Sequence, residues 1–213
     1  MYIGPQGIVH GTYITLLNAG RKYLGIPVEK DLAGVLYISS GLGGMSGAQA
    51  KAVEIAGGIG ILAEVDYSRI ETRHSQGWVS KVSADLAQIF AWVEEARKNR
   101  KPLSIAYHGN IVDLLEYADT NCIKCELISD QTSCHAVYEG GYTPVGYSFE
   151  DGRKLLEHDT EGFKHAVDQS LSRHYHVIKR LCAKGSRFWE YGNSFMASVF
   201  DAGETSIAKD GMT

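Results

Sequence analysis

The sequence predicts a doubly wound α/β fold: a mostly parallel sheet with helices on both faces. Three observations carry that expectation. Short apolar runs of strand length alternate with amphipathic runs of helix length, from residue 32 to about residue 190. Leu36-Tyr37-Ile38 is followed by Gly41-Leu42-Gly43-Gly44-Met45-Ser46-Gly47, then by an Ala, Gln, Lys and Glu segment, Ala48 to Ala56. A second apolar run, Ile59 to Ala63, ends on an acid, Glu64. Strand, tight turn, helix, strand, acid is the order of a dinucleotide-binding unit, so the fold is expected to be Rossmann-like.

The chemistry follows from that order. Glycines let the backbone turn sharply and come close to a pyrophosphate, and the free N–H groups at a helix start face its charge. Glu64 follows Gly41 at roughly the 20-residue spacing of the acid that accepts from an adenosine ribose. A carboxylate there would repel a 2′-phosphate, which points to NAD rather than NADP. The loop departs from the common fingerprint, because Ser46 stands where the third glycine usually is and Gly47 follows it. A glycine-rich turn with no ligand is the alternative reading.

The other elements are expected in order. Tyr2 to Val9 reads as a short strand or turn with Gly4-Pro5 as a breaker, and His10 to Tyr23 as a helix. After Glu64 come a helix, Ser68 to Gln76, stopped by Gly77, and a short alternating strand, Trp78 to Val82. Ser83 to Asn99 is a helix with Leu86, Ile89, Phe90, Val93 and Ala96 on one face and Ser83 able to cap it. Pro102 to Tyr107 is the next strand, closed by His108-Gly109-Asn110, and Ile111 to Tyr117 a helix. Glu126 to Ser129 is another strand, leading into Asp130 to His135. Residues 136–149 read as loop. Glu150 to His158 and Thr160 to Lys184 read as helices, Arg187 to Tyr191 as a last strand and Ser194 to Asp201 as a last helix. Three loops, Gly41–Gly47, His108–Asn110 and Asp130–His135, fall at the carboxyl ends of strands, where open α/β sheets collect ligands.

Composition narrows the function classes. A chain of 213 residues with 44% hydrophobic and 22% charged residues suits a globular domain with a sizeable core. A net charge of −4 gives no electrostatic reason to expect nucleic acid. No apolar run approaches the roughly 18 residues that span a membrane, and no charged-then-apolar leader opens the chain. Four cysteines are too sparse for a disulfide scaffold, and a cytoplasmic location is expected. Cys122 and Cys125 have half-site spacing but no second pair, so no metal site is expected.

The motifs GPQGIVHGT (Gly4 to Thr12), SGLGGMSGAQ (Ser40 to Gln49), YHGN (Tyr107 to Asn110), SDQTSCH (Ser129 to His135), GGYTPVG (Gly140 to Gly146) and FWEYGN (Phe188 to Asn193) resemble urocanate hydratase, in order and along nearly the whole chain. The resemblance implies a hydro-lyase of histidine degradation. Such an enzyme adds water to urocanate to give imidazolonepropionate, with tightly bound NAD⁺ as an electrophile rather than a hydride acceptor. It implies NAD⁺ contacts at Gly44, Met45 and Ser46 for the phosphates, and at Glu64 and Arg69 on the adenosine side. Asn110, Ile111, Gln131, Thr132, Ser133, Cys134, His135, Tyr142, Thr143 and Tyr191 complete that set.

It also implies a longer parent enzyme, a homodimer, in which a core domain brings urocanate to the cofactor. The family's active-site cysteine has no match here. The chain is therefore expected to be one NAD-binding domain, 1–213, cut from a longer urocanase, with no catalytic residue of its own and inactive alone. Within it, 1–31 is a strand and helix lead-in, 32–135 the dinucleotide-binding core, 136–203 loop and C-terminal helices, and 204–213 a mobile tail. A hydride-transfer dehydrogenase domain and a non-catalytic NAD-binding module remain as alternatives.

Overall fold

Strand β1, Leu36–Ser40, is buried at all five residues and forms the middle of the sheet. In the computed structural model, which describes residues 4–130, 134–192 and 194–208, its neighbours are β2 (Ile59–Glu64) on one side and β5 (Leu127–Asp130) on the other. Six strands run in the order β3-β4-β2-β1-β5-β6, with β3 at Lys81–Ser83, β4 at Leu103–His108 and β6 at Arg187–Glu190. Every pairing is parallel. The chain runs from β1 to β2, out to the edge strand β3, back inward to β4, and then crosses past β1 to β5 and β6. The reversal leaves a crevice beside the carboxyl end of β1, the point where such sheets hold ligands.

Successive residues of a strand point to opposite faces, and both faces here are apolar. Leu36, Ile38, Ile59, Ile61 and Ile105 pack on one face against α4 (Leu86–Asn99), α5 (Ile111–Thr120) and α7 (Thr160–Ala183). Tyr37, Leu62, Ala106 and Leu127 pack on the other against α1 (Pro5–Leu24) and α2 (Ala48–Ile55), with Ile70 of α3 (Tyr67–Ser75) at its edge. The expected Rossmann-like, doubly wound fold is what the chain adopts. Helices α6 (Phe149–His158) and α8 (Ser194–Asp201) complete the second half.

Several local expectations shift. The helix over His10 to Tyr23 starts earlier, at Pro5, so residues 5–9 are not a strand or turn. Proline suits the first helical position, where its missing N–H would have had no partner and its fixed φ fits the helix. Tyr2 and Ile3 lie outside the described residues. Trp78 belongs to the closure of α3 rather than to a strand. Its N–H donates to Arg73 O at 2.9 Å and that of Gly77 to His74 O at 3.0 Å, the paired bonds of a left-handed glycine stop. The cap of α4 is Asp85, whose side chain accepts from Gln88 N at 3.1 Å, while Ser83 Oγ accepts from Asp85 N. The tail expected from 204 is packed through residue 208: Glu204 accepts from Ser172 Oγ, and Ile207 is buried. Residues 209–213 lie outside the described set.

Candidate functional site

The loop after β1 is folded on itself by side chains and by the start of α2. Ser46 Oγ accepts from Gly43 N at 3.2 Å. Gly47 N donates to Gly43 O, Ala48 N to Met45 O and Gln49 N to Ser46 O. Among the described residues this leaves the N–H groups of Gly44, Met45 and Ser46 without an acceptor. Three consecutive unpaired amides at a helix start form an anion-binding concavity.

Glu64, at the end of β2, is buried yet lines the same space. Its Oε2 accepts from Leu42 N at 2.8 Å and its Oε1 from Asp66 N at 3.0 Å. A carboxylate has about four acceptor positions, so both oxygens keep capacity for a further donor. Arg69 stands half-exposed beside it, Nη1 3.8 Å from Glu64 Oε2 and Nε 3.3 Å from Asp66 Oδ2.

The far wall comes from the second half of the sheet. Asn110 caps α5, its Oδ1 accepting from Val112 N at 2.9 Å, and its Nδ2 donates to Thr143 O at 2.9 Å. That bond seats residues 140–143 beside the start of α5. Gly141 must be glycine, since a Cβ there would run into the carbonyl oxygen of His135. Tyr142 is buried with its hydroxyl 3.3 Å from His174 Nδ1. Burial holds the Tyr142 phenol well above the ordinary tyrosine range and pushes His174 down to about 3, so the imidazole is neutral.

Together these segments enclose a cavity of about 570 Å³, within the usual range for a small-molecule site. Of the residues singled out from the sequence, Gly44, Met45, Ser46, Glu64, Arg69, Asn110, Ile111, His135, Tyr142 and Thr143 all line it. Gln131, Thr132 and Ser133 lie outside the described residues. Cys134 and Tyr191 do not line it. Cys134 turns into the core, buried, while His135 turns out. Tyr191 meets Trp189 edge-on at 6.3 Å, and Trp189 stacks on Tyr37 at the α1 face of the sheet. Tyr191 directly follows β6 and, like Trp189, is not among the residues that line the cavity. Phe149 lines the cavity without any signal in the sequence. Arg73 braces the glycine loop from outside, and only its four-residue spacing from Arg69 on α3 hinted at a shared face.

A parallel sheet that reverses at β1, a glycine loop with free amides there, and an acid at the end of β2 define a Rossmann-like domain of the kind compatible with a nucleotide cofactor. The chain belongs to the urocanase family: the family model described as the urocanase Rossmann-like domain matches residues 4–210. It is similar to the urocanate hydratase of Mus musculus, 50% identical over 207 residues that make up 95% of this chain and 30% of that protein. A probable urocanate hydratase of Dictyostelium discoideum is 50% identical over 211 residues, 99% of this chain and 31% of the relative. The urocanate hydratase of Homo sapiens is 49% identical over 208 residues, 95% of this chain and 30% of the relative. The chain thus spans about 30% of the length of these relatives. Among the described residues no helix is long and apolar enough to cross a membrane.

Proposed function

We propose that this chain is the NAD⁺-binding domain of a urocanate hydratase, a cytoplasmic hydro-lyase of histidine degradation. The observation that carries the reading is the pairing of three unpaired loop amides, Gly44 to Ser46, with the Glu64 carboxylate in one cavity at the sheet's reversal. The amides suit a pyrophosphate and the carboxylate suits ribose hydroxyls. Arg69, beside that carboxylate, completes the adenosine side. Asn110, Ile111, His135, Tyr142 and Thr143 line the remaining wall and would orient the other half of the dinucleotide. Gln131, Thr132, Ser133, Cys134 and Tyr191 stay in the contact set on the family resemblance alone.

When bound, NAD⁺ supplies an electrophile to the addition of water to urocanate. The work of this chain is to bind, orient and keep water from one side of that group. The buried tyrosine of that wall and the neutral histidine behind it add no charge to the site. The parent enzyme, a homodimer, would bring urocanate and the active-site cysteine on its core domain, so this chain alone should not turn over urocanate.

Calorimetric titration of the chain with NAD⁺, NADP⁺ and NADH, after removal of carried-over nucleotide, tests the reading. NAD⁺ should bind, NADP⁺ poorly, and Glu64→Ala should weaken NAD⁺ by at least about tenfold, since it removes a charge-assisted acceptor. No NAD⁺ binding by the folded chain would defeat the reading. Reduction of NAD⁺ by a substrate would replace it with a dehydrogenase.

A further inference from the structure

Arg73 stands on α3, outside the cavity lining, and reaches back beneath the glycine loop. Its Nε donates to Leu42 O at 3.0 Å and its Nη2 to Gly43 O at 2.6 Å. Its Nη1 donates to Gln76 Oε1 at 2.8 Å. The glycine stop of α3 brings the Trp78 ring over the guanidinium, 5.0 Å from its carbon. Among the described residues no carboxylate lies within ion-pair distance of Arg73, so its charge is free to act through the loop.

In a trans peptide the C=O and the next N–H point in opposite directions. Holding Gly43 O toward Arg73 therefore turns the Gly44 N–H away from Arg73, and Gly44 lines the cavity while Arg73 does not. Gly44 is the first of the three amides without an acceptor. Holding Leu42 O fixes the Gly43 N–H in the same way, and Ser46 Oγ receives it. One planar fork holds two consecutive peptide planes, the second of them together with the Gly47 N–H. Gly47 supports the same assignment. A Cβ there would run into the Arg73 guanidinium and come within 2.6 Å of Gly43 O. The glycine that follows Ser46, displaced from the common fingerprint, makes room for the arginine rather than for a ligand.

We infer that Arg73 is the positioning residue of the glycine loop: it orients the loop amides toward the diphosphate of a dinucleotide and backs them with a positive charge. The inference rests on the NAD⁺ reading above. It is tested by titrating the chain, Arg73→Ala and Arg73→Lys with NAD⁺, ADP-ribose and adenosine, with folding checked by circular dichroism. Lysine keeps the charge but cannot hold two carbonyls in a fixed fork.

Arg73→Ala should weaken NAD⁺ and ADP-ribose about tenfold and Arg73→Lys a few-fold, while adenosine, which has no phosphate, changes less than about twofold. If Arg73→Ala does not fold, the same ratio measured on Arg73→Lys decides. Unchanged NAD⁺ affinity in the variants, or an equal loss for adenosine, would overturn the role of Arg73 and leave the NAD⁺ reading standing. A parent chain that binds neither NAD⁺ nor ADP-ribose would overturn both.

Discussion

The two faces of the sheet bury polar groups in different ways. Beneath the glycine loop, on the α1 and α2 side, the polar groups satisfy one another. Tyr37 donates to Gln49 Oε1 at 2.6 Å and accepts from Ser129 Oγ at 2.5 Å. Ser39 donates to Ser129 O at 2.8 Å, and Gln49 Nε2 to Ser40 O at 3.0 Å. One proton per hydroxyl runs in one direction along the chain. On the α7 and α8 side, His174 is enclosed by aromatic rings. Phe195 meets it edge-on at 5.0 Å, and Tyr142 is its hydrogen-bond partner. There the solution is neutrality: burial removes the charge instead of pairing it. The first arrangement ties β1, β5 and α2 into one frame whose geometry does not depend on pH near neutrality. The second leaves a group that acid can find.

That difference is measurable. His174 has an ordinary value of 6.5 and a folded value of about 3. Between those values the unfolded chain binds the extra proton, so stability is full above about pH 6.5 and falls as pH drops. The loss by pH 4 is about 3 kcal/mol. Urea unfolding at pH 7 and pH 4 should show it, and His174→Phe should flatten that limb. An equally steep limb in the variant would shift the acid sensitivity to other groups.

Tyr37→Phe attacks the other face. It leaves Gln49 Oε1 buried without its donor, at a cost of about 2 kcal/mol. Ser129 keeps Ser39 Oγ within reach at 3.1 Å. The loss should be the same at pH 7 and pH 4, and a pH-dependent loss would erase the contrast between the faces. Ser39→Ala removes the neutral bond to Ser129 O and the longer contact with Ser129 Oγ, and should cost about 1 kcal/mol, again without pH dependence.

Legibility in the sequence divides along similar lines. The β1–loop–α2–β2 unit and Glu64 could be read because local rules coincide there: apolar runs for strands, glycines for the turn, an acid at a set distance. The second half gave its helices and strands but not its geometry. Which way Cys134 and Tyr191 face depends on how the chain leaves β5 and β6, and residue type does not encode that. The role of Arg73 could not be read for a different reason. Its partners are backbone carbonyls about thirty positions away, and a carbonyl has no letter in a sequence. Pro5 read as a breaker where it is a helix start, because proline's meaning depends on its position in the first turn. The tail beyond Gly203 looked free because its anchors, Ser172 and His176, lie on a distant helix.

Asn110 uses one amide for two tasks, capping α5 and holding the carbonyl of Thr143. The rim of the cavity is therefore hinged on a helix end. Any widening that parts Thr143 from Asn110 pulls on the side chain that closes the first turn of α5. Loosening this part of the wall is therefore coupled to loosening of the α5 start.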